Sequence, residues 1–177
     1  MGIENKRREI LLSKEKIDER IEALGKTLTE DYKDKNLLVI SLLKGSFIFT
    51  ADLVRKIDLP VRIEFMTTSS YGHSEESTGQ LKIVQDITAD DLSEFDVLIV
   101  DDITDSALTM TGVMAILSKR NPKSLKACVL LDKPSRRKVS YVPDYVGFEI
   151  PDMFIVGYGL NYGDYYRNID HVFAFVD

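Results

Sequence analysis

A chain of 177 residues fits one domain with a single core, and 44% hydrophobic with 29% charged residues is ordinary for a soluble globular protein. A net charge of −6 argues against a nucleic-acid or membrane-surface protein, and no apolar run approaches the roughly 20 residues that span a bilayer. The charged start, Met1 to Glu9, has no apolar signal region, and the sole cysteine, Cys128, excludes an internal disulfide and a cysteine metal cluster, so a cytoplasmic location is expected.

No internal repeat or linker divides the chain. Ser13 is placed to cap a helix whose apolar residues Ile17, Ile21, Leu24 and Leu28 recur at helical spacing. Leu37 to Leu43 is an apolar run of strand type, closed by Lys44-Gly45-Ser46. Phe47, Ile48, Ala51, Leu53 and Val54 predict a helix that ends before Pro60. Val61, Ile63, Phe65 and Thr67 alternate with more polar neighbours, as a strand does. Ser69 to Gln80 is polar throughout and reads as a long loop, of the kind that is functional or mobile. Leu81 to Val84 is a short return strand.

The second half repeats the alternation. Val97 to Val100 is a buried strand, Ser106 to Lys119 a helix with Met110, Val113, Met114 and Leu117 on one face, and Leu125 to Leu131 another buried strand, with Cys128 in the core. Short apolar strands alternating with helices predict an α/β fold, a mostly parallel sheet flanked by helices on both faces. In such sheets ligands bind beyond the carboxyl ends of the strands, which directs attention to the residues after Val100.

There the chain reads Asp101-Asp102-Ile103-Thr104-Asp105-Ser106-Ala107-Leu108-Thr109. A helix start offers free N–H groups and a positive dipole end, which suit a phosphate. Small residues at Ser106 and Ala107 admit it, and the Ser106 and Thr109 hydroxyls can donate further bonds. The carboxylates would repel a phosphate; they suit ribose hydroxyls, a hydrated Mg²⁺ or developing positive charge. Neighbouring strand residues face opposite ways, so Asp101 and Asp102 should not share one task. Read alone, the same run could simply cap a helix and solvate a loop.

The stretch VLIVDDITDSALT resembles the PRPP-binding signature of type I phosphoribosyltransferases, where PRPP is 5-phosphoribosyl 1-pyrophosphate. LLKGS at 42–46, SSYG at 69–72, LDKPSRR at 131–137 and PDYVGFEIPDMFIVGYGLNYGDYYRN at 143–168 resemble the hypoxanthine-guanine branch, in the same order. The resemblance spans nearly the whole chain. It implies one phosphoribosyltransferase domain over 1–177, with a mobile lid at about 69–80 and a small purine-binding hood at about 143–177. It further implies Mg²⁺ as cofactor, PRPP and a 6-oxopurine as substrates, pyrophosphate and a nucleotide (IMP or GMP) as products, and a homodimer or homotetramer.

Residue by residue, the resemblance makes Asp105 the general base and gives PRPP or nucleotide phosphate and ribose to Lys44, Gly45, Asp101, Asp102, Asp105, Ser106, Ala107, Leu108, Thr109 and Arg167. It places a cis peptide between Leu43 and Lys44. Purine contacts fall to Lys133, which would read the 6-oxo group, to Phe154 by stacking, to Ile155 through its backbone, and to Asn161; the lid carries Ser70 and Tyr71. Asp101, Asp102 and Asn161 are the implied metal ligands. Two positions depart from the family pattern: Ala107 stands where glycine is usual, a strained choice if φ is positive there, and Asn161 stands where a carboxylate usually helps hold a second Mg²⁺. A xanthine-preferring enzyme and a catalytically silent PRPP- or nucleotide-binding regulator are the competing readings. Gly157, Gly159 and Gly163 lack the spacing of a dinucleotide fingerprint, and His73 and His171 are isolated.

Overall fold

Two sheets organise the chain in the computed structural model, which describes residues 6–70 and 81–176. The larger has six strands: β2 (Leu37–Leu43), β3 (Arg62–Ser70), β4 (Leu81–Gln85), β5 (Asp96–Thr104), β6 (Ser124–Asp132) and β7 (Tyr145–Glu149). Their order is β4-β3-β2-β5-β6-β7, parallel except where β4 returns along β3. The central strands are apolar on both sides because helices cover both faces. On one face α1 (Lys14–Asp31) and α2 (Phe47–Val54) bury Ile17, Ile21, Leu28, Phe49 and Leu53 against Val39, Leu98, Val100 and Leu130. On the other, α3 (Leu108–Ser118) presses Met110, Val113 and Leu117 onto Ile40, Val97, Ile99 and Val129. Cys128 is fully buried between them, as its apolar flanks require.

Ser13 caps α1, its hydroxyl accepting from the Lys16 N–H at 3.2 Å. The helix expected over Ser106 to Lys119 begins later, at Leu108, because Ala107 stands in the left-handed region at φ 66°, ψ 7° and so cannot continue a right-handed turn. The strand expected to stop at Val100 runs on to Thr104: Asp101, Ile103 and Thr104 pair with Val129, Leu131 and Asp132 of β6. The aspartates of the signature thus begin inside the sheet, held by its ladder.

The smaller sheet joins the two ends of the chain, in the order β1-β9-β8, all antiparallel: β1 (Arg7–Leu12), β8 (Ile155–Val156) and β9 (Val172–Val176). The stretch 143–177 therefore serves both sheets. Tyr145–Glu149 extends the large one, and the small one takes a strand from the N-terminal segment, which periodicity alone left unassigned. Arg20 of α1 fastens β7, donating to the carbonyls of Gly147 at 2.8 Å and Val146 at 2.7 Å. Among the described residues no helix is long and apolar enough to cross a membrane.

Candidate active site at the strand ends

Three chain segments meet where β2, β5 and β6 end. The first is the turn after β2. Its Leu43–Lys44 peptide is cis, and Gly45 lies so close to Asp102 that a Cβ there would sit 1.9 Å from Asp102 Oδ2. Below the turn, the buried Ser41 hydroxyl bonds Ser46 Oγ at 2.8 Å and Thr50 Oγ1 at 2.7 Å, fixing strand end and helix start together.

The second segment is the acidic one. Asp101 Oδ1 accepts from the Asp102 N–H at 2.9 Å, and Asp102 Oδ1 from the Ile103 N–H at 2.8 Å. The two carboxylates have different surroundings, as alternation predicts: Asp102 abuts Gly45, whereas Asp101 lines a cavity of about 290 Å³ with Ile103, Thr104, Asp105, Ser106, Ala107, Thr109 and Met110. Burial pushes the Asp101 carboxyl well above its ordinary range, and the neighbouring Asp102 adds to the rise. Burial raises Asp102 as well, opposed by its hydrogen bonds and by the cation of Arg167. Crowding two anions in a desolvated place is costly, and a bound cation relieves it. Among the described residues no three His, Cys, Asp or Glu side chains gather as a metal cluster. Two oxygen-donor carboxylates nevertheless fit Mg²⁺, which commonly takes one or two carboxylates and completes its shell with water and substrate oxygens.

The cavity floor is the start of α3. Ser106 Oγ accepts from the Leu108 N–H at 3.3 Å, while Leu108 points its side chain outward and Thr109 lines the cavity. Ala107, in the glycine-favouring conformation, turns the chain so that this helix end faces the cavity.

The third segment follows β6. Lys133 is buried, not extended into solvent, and its Nζ lies 3.9 Å from Asp105 Oδ1. That carboxylate oxygen and the Thr104 hydroxyl are both buried without a hydrogen-bond partner. Buried polar groups are seldom left unpaired, so the place is prepared for something else to bond there.

Arg167 and the small sheet border the site. Arg167 Nη1 donates to the Gly159 carbonyl at 2.7 Å, and the Gly159 N–H returns a bond to the Arg167 carbonyl at 2.9 Å. Gly159, at φ 96°, passes so near the β2 turn that a Cβ would lie 2.1 Å from the Gly45 carbonyl oxygen. Phe154 is 60% exposed and stands edge-on to Tyr162, ring centroids 5.7 Å apart. Ile155 is buried in β8 opposite Ala174. Asn161 is exposed; its Nδ2 donates to the Gly163 carbonyl at 2.5 Å. The expected lid residue Tyr71 and the loop 71–80 lie outside the described residues, as does the side chain of Ser70.

Sequence reasoning passed over Ser41 and Arg137 and weighed Gly159 only as part of a dinucleotide fingerprint that failed, yet all three shape the site. Ser41 is hidden in an apolar run, Gly159 had a visible signal in its GYG context, and Arg137 stood unassigned inside LDKPSRR.

Residues 8–163 match the phosphoribosyl transferase domain. A hypoxanthine phosphoribosyltransferase of Buchnera aphidicola is 48% identical over 165 residues, covering 92% of this chain and 93% of that protein. A hypoxanthine-guanine phosphoribosyltransferase of Aquifex aeolicus is 47% identical over 176 residues, 99% of this chain and 98% of the other. The crystal structure of a hypoxanthine phosphoribosyltransferase from Staphylococcus aureus superposes with a TM-score of 0.91 at 41% identity, covering 95% of this chain and 91% of that one. With the acidic strand end, the cavity at the start of α3 and the family match over most of its length, the chain belongs to the phosphoribosyltransferase family.

Proposed function

We propose that the protein is a purine salvage enzyme that transfers the phosphoribosyl group of PRPP to a 6-oxopurine, hypoxanthine and also guanine, releasing pyrophosphate. The observation that carries this reading is the buried Lys133 ammonium beside the Asp105 oxygen that has no hydrogen-bond partner, Asp105 being part of the cavity lining. One donor and one acceptor thus lie side by side, 3.9 Å apart. A 6-oxopurine offers a carbonyl oxygen to the lysine and a ring N–H to the aspartate; adenine offers the lysine no such acceptor.

In this reading the helix start at Ser106, Ala107, Leu108 and Thr109 holds the 5-phosphate, and Asp102 and Asp101 hold the ribose hydroxyls and the metal. Lys44, Gly45 and Arg167 hold the pyrophosphate. Phe154 stacks on the base, the Ile155 backbone and Asn161 border its edge, and Ser70 and Tyr71 close over the reacting centre. The bond from ribose C1 to pyrophosphate breaks as the purine nitrogen forms its bond to C1. Asp105 accepts the proton that nitrogen loses. Asp101 and Asp102, with Asn161 as a weaker ligand, would hold Mg²⁺ together with substrate, and the ion would supply positive charge to stabilise the leaving pyrophosphate. A cytoplasmic location suits the free, buried thiol of Cys128. A homodimer or homotetramer suits the exposed apolar side chains Ile63, Phe65 and Val84 on adjacent strands β3 and β4.

The test is nucleotide formation from PRPP and Mg²⁺ with hypoxanthine, guanine, xanthine and adenine supplied separately. IMP and GMP should form and AMP should not; turnover confined to xanthine, or none with any base, would sink the assignment. Asp105→Asn should retain PRPP binding and lose roughly 10²–10⁴-fold in kcat, the range usual for a general base.

A further inference from the structure

Arg137 is 15% exposed in its side chain and uses all three guanidinium nitrogens to bond four oxygens. Its Nε donates to the Tyr141 carbonyl at 2.9 Å. One arm, Nη1, reaches the carbonyls of Thr104 at 3.2 Å and Asp105 at 2.9 Å. The other, Nη2, pairs with Asp132 Oδ1 at 2.6 Å, a carboxylate whose side chain is 8% exposed. The same reversal of chain carries two more ties to the acidic segment: Lys133 N–H to the Thr104 carbonyl at 2.9 Å and Lys138 N–H to the Ser106 carbonyl at 3.0 Å.

We propose that Arg137 is a positioning residue, holding the main chain at Asp105 in register with Lys133 so that base and 6-oxo donor keep their spacing. The inference rests on the reading of the protein as a 6-oxopurine phosphoribosyltransferase. Ion pairing with Asp132 alone does not need an arginine, since a lysine can oppose a carboxylate. Only a planar fork with donors in several directions can meet a carboxylate and three carbonyls at once. Two of those carbonyls belong to the residues whose side-chain oxygens are left unpartnered at the cavity, Thr104 and Asp105. The guanidinium thus fixes from behind the segment that presents them, and Asp132 fixes the guanidinium. Both strand ends, β5 through Thr104 and Asp105 and β6 through Asp132 and the turn at Pro134–Arg136, are locked to one rigid group.

Two variants test this. Arg137→Lys keeps the charge opposite Asp132 but cannot span the carbonyls. The double variant Arg137→Met with Asp132→Leu removes the buried pair without stranding a charge, which guards against simple misfolding. Folded sites are counted by PRPP-binding stoichiometry in titration calorimetry, and turnover is expressed per PRPP-binding site. Both variants should keep near-wild-type stoichiometry and lose roughly 10- to 100-fold in kcat, with the KM for PRPP moving less than about threefold, because a small misplacement of a reacting group is felt in the chemical step. Wild-type kcat per binding site in either variant, with lost stoichiometry accounting for any missing activity, would make Arg137 merely structural and overturn the proposal. The unaltered protein is assayed alongside: failure to form nucleotide there sinks the functional reading and this inference with it, whereas an active parent leaves the variants to decide.

Discussion

At Ala107 a single side chain meets a backbone that favours glycine. The left-handed conformation costs an L-residue about 1–2 kcal/mol, while glycine costs about 0.4–1 kcal/mol more to order from the unfolded chain. With φ at 66°, Ala107→Gly should therefore stabilise the protein by about 0.5–1 kcal/mol net. Denaturant titration reads the outcome, and an unchanged or lower midpoint would show that the strain is relieved elsewhere. The opposite demand holds at Gly45, where no Cβ fits beside Asp102. Lys133 is a residue whose burial makes sense only with a partner, since an ammonium taken from water must be bonded. Lys133→Ala should raise the KM for hypoxanthine roughly 10- to 100-fold, the scale of a lost charged hydrogen bond, and leave PRPP affinity nearly unchanged. Equal losses for both substrates in initial-rate measurements would reduce Lys133 to a structural role.

At the scale of the element, the end of β5 is where stability is given up. Burial raises both Asp101 and Asp102, and the Asp102 charge raises Asp101 further, while hydrogen bonds and Arg167 temper the rise at Asp102. A carboxyl whose folded pKa lies above its unfolded value binds its proton more tightly when folded. Its contribution is therefore fully present below the ordinary carboxylate pKa of about 4 and is lost as pH rises through the folded value. The metal-free protein should accordingly be destabilised by this pair at neutral pH. Asp101→Asn keeps an oxygen for the Asp102 N–H and removes one charge. It should raise the melting midpoint near pH 7 by about 2–4 °C for each kcal/mol recovered, with the advantage shrinking as pH falls toward about 4, and it should lower activity. A calorimetric difference that stays constant across that range would mean the pair is not under electrostatic stress. This is the kind of strain active sites retain at the expense of the fold.

In the whole molecule, polar bonds between distant parts of the chain tie the helix layers to both sheets. Arg20 reaches from α1 to β7, and Tyr158 of the small-sheet segment donates its hydroxyl to Asp52 of α2. Two charge-assisted bonds to backbone carbonyls outweigh a surface ion pair. Arg20→Met should cost about 1–3 kcal/mol of stability, seen as a lower thermal midpoint, with KM values for both substrates unchanged because Arg20 is not part of the strand-end cavity lining. A variant that melts like the parent would show that β7 is held without Arg20, by its ladder with β6 and by the Tyr145 hydroxyl on Asp31.

Much of this architecture was legible in the residues. Apolar runs at Leu37–Leu43 and Val97–Val100, with helical periodicity between them, give a parallel sheet, because only strands covered on both faces are apolar at every position. The acidic signature and the four accompanying stretches gave the family and the residues around the cavity. Three matters needed the tertiary structure. That β5 continues through the aspartates depends on pairing with β6, since charged residues carry no strand pattern of their own. That β1 closes the small sheet depends on β9, roughly 160 residues away, a contact no local pattern encodes. And the tasks of Arg137 and Gly159 are set by what approaches them, four oxygens around one guanidinium and a carbonyl too near for any side chain. Sequence determines which groups are available and which periods they follow; distances between strand ends are decided only when the sheet assembles, because they are sums over every packed element in between.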